Sequence, residues 1–334
     1  MKKYMTHLEE IVKDKRVLFI TTKNIDYIRN TQELRLIKKF AKNVDIIYSK
    51  KKNYVWRIPD IWRKITKKKI NNSDVIFVGF EPQFVIPFVG WKFNRKMVVI
   101  DFFISVYDTL ICDRKKFRDG GIVAKLSRWM DKMTIKKAMH IITDTKTHAK
   151  YFETEFGGES KKFETIYLEA DPQIYYPRIQ NKPDELKDKF VVLYFGSILP
   201  LQGVDIVLNT IREFRNRDDI YFDIIGPISD KYQKPIQNNV HYTEWLSQTE
   251  LAEHIANADL CLAGHFNCTI GKANRTIPGK AYIYEMMNKK MVLGDSEANR
   301  ELYTEDDRHF FTKMGCLNGL KQIIESQGNI YGRK

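Results

Sequence analysis

The densest chemistry in the chain lies in HFNCTIGKANRTIPGKAYIYEMMNKKMVLGDSEANREL, residues 265–302. A loop with Gly271, Lys272 and Arg275 runs into Pro278-Gly279, and proline near the first turn starts a helix. Arg275 and Lys280 are then two cations at or beside a helix N-terminus, where backbone N–H groups already favour anions. That constellation suits a diphosphate. Glu285 stands five residues past Lys280 inside the otherwise apolar AYIYEMM. A carboxylate there needs a partner. It either pairs with Lys280 or Arg275, or accepts hydrogen bonds from a pair of ribose hydroxyls. Upstream, YFGSILPLQGVDIVLNTI ends a strand at Gly196-Ser197 and opens a helix at Gly203. Glycine at a strand end admits close backbone approach of a ligand, although many α/β turns look alike.

A second group lies in the first half. Asp101, Asp108 and Asp113 follow an apolar strand, with Arg114 and Lys115 adjacent. An aspartate at that strand's carboxyl end suits orienting or deprotonating a hydroxyl. Asp108 and Asp113 also suit helix capping or pairing with neighbouring cations. Tyr107 and Thr109 are candidate acceptor contacts. His140 and His148 read as a strand residue and a helix surface residue. GxGxxG after the first strand, GxxxxGK[ST], GxSxG, Asp-x-Asp and HExxH are all missing, which disfavours dinucleotide, P-loop, hydrolase and zincin chemistry. Cys112, Cys261, Cys268 and Cys316 form no CxxC, so neither a zinc knuckle nor a disulfide framework is expected.

The elements that must position these residues alternate. Apolar runs Arg16–Thr22, Val44–Ser49, Asp74–Phe80, Met97–Phe103, His140–Thr145 and Phe163–Ala170 read as strands buried on both faces. Helices are expected over Thr31–Lys42, Val123–Lys137 and Lys146–Phe156. Asp171–Lys189 is polar and carries three prolines, the texture of a linker. Strands then resume at Phe190–Ser197, Tyr221–Pro227, Ala258–Gly264 and Met291–Asp295, with helices over Val204–Arg215, Thr249–Ala256 and Lys280–Asn288. This order predicts two doubly wound parallel-sheet domains: 1–172, a linker at 173–188, and 189–334. Ligands are expected at the strand carboxyl ends, in a cleft between the domains.

The series FGSILPLQGV, IIGP, ELAEHIANADLCLAG and IPGKAYIYEMMNKKMVLGDSEANREL resembles the C-terminal domain of retaining GT-B glycosyltransferases of the large family-four group. IDFFISVYDTLICDRKKF and HIITDTKTHAKYFETEFG resemble N-terminal segments of bacterial members. The resemblance implies an α/β GT-B fold and metal-independent hexosyl transfer from a nucleotide-diphosphate-sugar, with no other cofactor. It implies retention by front-face attack assisted by the leaving phosphate. Glu285 matches the ribose-binding glutamate, and Lys280 and Arg275 match basic positions near the diphosphate. Gly196 and Ser197 match the loop facing the phosphates. Trp245 lies in the segment beside the base, and His265, Phe266 and Asn267 match the loop near the sugar. Asp108, Asp101 and Lys280 are the catalytic candidates; Tyr107, Asp113 and Arg114 are acceptor-side. Two departures stand out. The usual phosphate cations are replaced at Ser197 and Gln202, and a first glutamate is replaced by Ile277. Charge neutralisation then falls to Arg275 and Lys280. A sugar-nucleotide epimerase or hydrolase of the same fold is one rival. A degenerate partner subunit is another.

The chain has 334 residues and a formal net charge of +14. Residues 1–185 hold 38 Lys and Arg against 23 Asp and Glu, while 186–334 hold 18 against 19. The excess therefore lies wholly in the first half, where a basic face attracts polyanions. A polyprenyl-linked or other glycan acceptor at an anionic membrane surface fits that charge. Nucleic acid is not expected, because no readout motif accompanies the basic clusters. The start of the chain has charge but no apolar signal core, and no apolar run reaches membrane-spanning length. The expected place is the cytoplasm, peripherally on the inner membrane face.

Overall fold

A computed structural model describes residues 5–196 and 199–332. The chain divides into two compact units, Met1–Leu168 and Glu169–Lys334.

The first unit is a six-stranded parallel sheet: β1 (Arg16–Thr21), β2 (Asn43–Ile47), β3 (Val75–Gly79), β4 (Met97–Asp101), β5 (His140–Thr143) and β6 (Phe163–Thr165). Their order is β2-β1-β3-β4-β5-β6. The central strands are buried beyond the first residue of β1 and of β4, as their β-branched and aromatic runs require. Around them run α1 (His7–Val12), α2 (Ile28–Phe40), α3 (Tyr54–Lys67), α4 (Ile86–Val89), α5 (Ile122–Lys137) and α6 (Lys146–Phe156). The sequence reading passed over α3. Its buried apolar stripe, Ile58, Ile61 and Ile65, is thin, Pro59 interrupts it, and Arg63, Lys64 and Lys67 break up its second half.

The second unit repeats the scheme with β7 (Phe190–Phe195), β8 (Ile220–Ile225), β9 (Val240–Thr243), β10 (Leu260–Gly264), β11 (Met291–Gly294) and β12 (His309–Thr312). The order is β12-β11-β10-β7-β8-β9, all parallel. Strands β9 and β12 were not foreseen. Each is four residues long and partly exposed at a sheet edge, so neither shows an apolar run. The helices are α7 (Val204–Arg212), α8 (Gln248–Asn257), α9 (Gly271–Arg275), α10 (Gly279–Met286) and α11 (Leu317–Tyr331). Residues Leu320 and Ile324 of α11 join the core of this sheet. The proline-bearing stretch before β7 packs on the same unit. Lys182 Nζ bonds Asp259 at 2.5 Å, the Lys189 carbonyl at 2.9 Å and the Tyr331 hydroxyl at 3.0 Å.

Candidate functional site

In the second sheet the winding direction reverses between the neighbours β7 and β10. Ligands of open parallel sheets sit at the carboxyl ends of strands at such a switch point. Each strand there meets a glycine: Gly196 after β7, Gly226 after β8, and Gly264 ending β10. All three have positive φ, at 130°, 130° and 91°. Their lack of a side chain is required by space as well. A Cβ on Gly226 would lie 2.3 Å from the Gly196 carbonyl, and one on Gly264 would lie 2.6 Å from Gln202 Oε1.

Lys280, in the first turn of α10, reaches into this cradle. Its Nζ would lie 3.6 Å from a Cβ on Gly196 and 3.5 Å from one on Gly264. It sits over the Tyr194 ring at 3.6 Å and is only 5 % exposed. Among the described residues nothing hydrogen-bonds Nζ. Burial holds the amine well below the ordinary lysine range. Gln202 Oε1 is also buried without a partner among the described residues. Pro278, the N-cap of α10, makes no side-chain hydrogen bond to the helix start. A buried amine facing strand-end glycines and an uncapped helix start can receive an anion.

The surrounding loops are built tightly. The β7–α7 loop presses on the β10–α9 loop: a Cβ on Gly203 would lie 2.8 Å from Phe266 Cβ. Phe266 is buried, and Asn267 Nδ2 donates to the Pro200 carbonyl at 3.1 Å. His265 has a φ of 58° and its Nδ1 lies 2.8 Å from the Thr276 carbonyl. Phe266 and Asn267 thus hold the loop's shape. Arg275, half-buried at the end of α9, lies with its guanidinium close over Gly271. Trp245, in the β9–α8 loop, is 78 % exposed. Ser197 lies outside the described residues.

Glu285 faces away from Lys280 and contacts another pair of residues. Five residues along a helix is about 140° of rotation and about 7.5 Å of rise from Lys280. Its carboxylate takes His309 Nε2 at 2.7 Å and Arg308 at 3.4 Å, pairing with neither Lys280 nor Arg275. His309 begins β12, so this contact is at the amino edge of the parallel sheet, away from the glycine cradle.

In the first unit the expected aspartates are enclosed. Asp101, at the end of β4, is fully buried and gripped by Arg29 at 3.0 and 3.2 Å. Arg29 also faces the buried Glu33 at 3.4 Å. Burial, reinforced by Asp101, pushes the Glu33 carboxyl well up. A base must touch its hydroxyl, and Asp101 has no exposed oxygen to do so. Asp108 is buried too and accepts from the Tyr151 hydroxyl at 3.4 Å. Asp113 is likewise buried, whereas Arg114 is exposed. Tyr107 donates its hydroxyl to Asp119 at 3.1 Å beneath the Arg128 guanidinium. His148 is not on the surface: it is buried on Phe152, with Nδ1 2.7 Å from Asp144.

The sequence reading overlooked the residue that shapes this loop. Asp131 of α5 accepts from Gln83 at 2.8 Å, Ser105 at 2.7 Å, and the Val106 and Tyr107 amides at 3.1 and 2.9 Å. It thereby anchors the helical turn 106–113, whose residues 108–113 are a π-helix. Burial pushes its carboxyl up to about 6. Gly226, Gly264, Tyr194 and Glu33 were also overlooked; glycine closing each of two apolar strands was the available signal. Among the described residues, no group of three or more His, Cys, Asp or Glu side chains is placed to hold a metal ion. Among them, too, no helix is long and apolar enough to cross a membrane.

No family model and no curated protein matches the sequence. Solved structures do. HepE of Anabaena in complex with UDP-glucose superposes with a TM-score of 0.62 at 13% identity, over 95% of this chain and 93% of that one. Sucrose-phosphate synthase from Thermosynechococcus elongatus gives 0.68 at 9% identity, over 96% and 92%. The lipopolysaccharide outer core galactosyltransferase WaaB, in its apo form, gives 0.58 at 12% identity, over 95% and 94%. The fold is GT-B. At these identities the likeness shows the fold.

Proposed function

We propose that the chain is a glycosyltransferase that moves a sugar from a nucleotide-diphosphate-sugar to a hydroxyl acceptor. The observation that carries this is the buried Lys280 amine, unpartnered among the described residues, at the switch point of the second sheet. Such an amine is costly unless a ligand supplies its counter-charge. A diphosphate supplies it, and the α10 start and Arg275 add to the same field.

In the reaction, the bond between the anomeric carbon and the phosphate oxygen breaks while the acceptor oxygen bonds that carbon. Negative charge grows on the leaving diphosphate. Lys280, protonated once the anion is present, stabilises that charge where it develops. Attack on the same face as departure retains the configuration and lets the leaving phosphate oxygen take the acceptor's proton. The enclosure of Asp101 and Asp108 favours this route, since neither offers an exposed base. Metal and further cofactor have no assigned role. Trp245 is offered to the base, and His265 to the donor sugar. Tyr107, Asp113 and Arg114 sit in the proposed acceptor unit, with Arg114 the exposed contact. The acceptor is a lipid-linked or cell-surface glycan precursor at an anionic, cytoplasmic membrane face, drawn by the basic first half.

The test is thermal stabilisation by UDP, GDP, CDP and ADP, followed by product analysis with the corresponding sugar donor. One diphosphate raises the midpoint with its concentration, stabilising the fold by about 2.7 kcal/mol at a hundred times its Kd. If none does, the donor reading falls.

A further inference from the structure

Helix α5 has two apolar stripes, and only one is used. Ala124, Ser127, Met130, Asp131, Thr134 and Ile135 face the core. At about 100° per residue, Ile122, Leu126, Trp129 and Met133 lie within about 60° of one another on the opposite side. Ile122 is 86 % exposed, Leu126 52 % and Trp129 44 %. The stripe continues onto α4, because the exposed Phe88 ring stands 6.4 Å from Trp129. Trp91 follows α4 and is also exposed. Gly90, beside it, lies against the end of α5: a Cβ there would be 3.8 Å from Lys137 Nζ.

The charges around this stripe have one sign. Residues 122–137 carry Lys125, Arg128, Lys132, Lys136 and Lys137 against a single acid, Asp131. Asp131 points inward and is fully buried. Arg128 is engaged by Glu155 and Tyr107. The four lysines are left flanking the apolar line. A helix with tryptophan and aliphatic side chains on one line and lysines beside it is suited to lie in a lipid interface.

We propose that the outward face of α5, extended by Phe88 and Trp91, docks the protein flat on an anionic lipid surface. Ile122, Leu126 and Trp129 enter the headgroup–acyl boundary, while Lys125, Lys132, Lys136 and Lys137 meet the lipid phosphates. This rests on the reading above that the acceptor is membrane-borne, and it names the surface that brings the chain there. The binding is read without donor or acceptor, so its failure leaves the diphosphate site standing, and failure of diphosphate binding leaves it standing.

The experiment is co-sedimentation of the full chain with vesicles of equimolar phosphatidylglycerol and phosphatidylcholine, and with phosphatidylcholine alone, at low and high salt. The wild type binds the anionic vesicles and releases them as salt rises. Replacing Lys125, Lys132 and Lys136 together by Gln weakens binding roughly a hundredfold, at about tenfold or less per lysine. Leu126→Ser with Trp129→Ser weakens it roughly tenfold or more, since interfacial binding scales with buried apolar area. Both variants keep the wild-type thermal midpoint. As a check independent of that folding, lipids brominated along their acyl chains quench wild-type tryptophan fluorescence more than they quench Trp129→Phe. The proposal is overturned if the wild type ignores anionic vesicles at low salt. It is equally overturned if the Leu126/Trp129 variant binds as the wild type does. A concentration-dependent dimer that this variant splits, with no vesicle binding, would reassign the face to a second copy of the chain.

Discussion

Lys280→Met should raise the stability of the ligand-free protein and abolish its response to the diphosphate. Leaving a buried polar group without a partner costs about 1–3 kcal/mol. The Tyr194 ring beneath Nζ, at 3.6 Å, returns part of that through a weak N–H···π contact. Methionine nearly matches the length of the side chain and packs well on an aromatic face, so a net gain of about 1–2 kcal/mol is expected. For a domain of this size each kcal/mol is worth roughly 2–4 °C, giving a rise of about 2–8 °C. The pH dependence follows from the depressed amine. Between its folded value and the unfolded lysine value of about 10.4 the unfolded chain binds more protons, so wild-type stability climbs with pH, by up to about 1.4 kcal/mol per unit. The variant loses that slope. Diphosphate binding in the same window draws one proton onto Lys280, so affinity falls as much as about tenfold per pH unit. Melting curves across pH and titration calorimetry in buffers of different ionisation heat read both effects. A variant that is less stable yet still responds to the diphosphate, or a wild type that binds without proton uptake, refutes the reasoning.

Other substitutions separate the remaining roles. Gly264→Ala puts a Cβ at a φ of 91° and 2.6 Å from Gln202 Oε1, so it should cost about 1–3 kcal/mol in denaturant melts and lose the diphosphate response. Glu285→Gln loosens a partly exposed contact with His309 and Arg308, costing less than about 1 kcal/mol, and the diphosphate shift should persist; loss of that shift would return Glu285 to the ribose. Asp131→Asn turns a donor toward groups that themselves donate, and should cost about 2–4 kcal/mol. The wild-type carboxyl, raised to about 6, binds more protons folded than unfolded, so its contribution is full below the unfolded value of about 3.8 and fades as pH rises through 6. Urea melts at pH 4, 5, 6 and 7 should show that fall in the wild type and not in the variant.

The buried strands were legible because both faces of a central parallel strand are covered, so β1, β3, β4, β7, β8 and β10 appear as apolar runs that no surface element would carry. The same logic hid β9 and β12, whose edge positions leave them partly exposed. The start of α10 was legible too, since Pro278-Gly279 marks a helix entry by local geometry alone. Local composition therefore determined which segments are strands and helices, where the chemistry-bearing loop begins, and that positive charge gathers in the first half.

What it could not determine is which side each charge faces and what stands opposite. Lys280 and Glu285 share one helix turn and a half, yet one enters the glycine cradle and the other meets His309, because strand order sets what each face of α10 touches. Asp101 follows a strand as an accessible base would, but Arg29, far away in sequence, encloses it. Asp131 reads as one more surface acid on a basic helix until Gln83 and the loop after β4 close over it. Pairing partners, burial and the resulting proton affinities depend on contacts between residues dozens of positions apart. Only the tertiary structure brings those together, so only it decided which charges are available for chemistry.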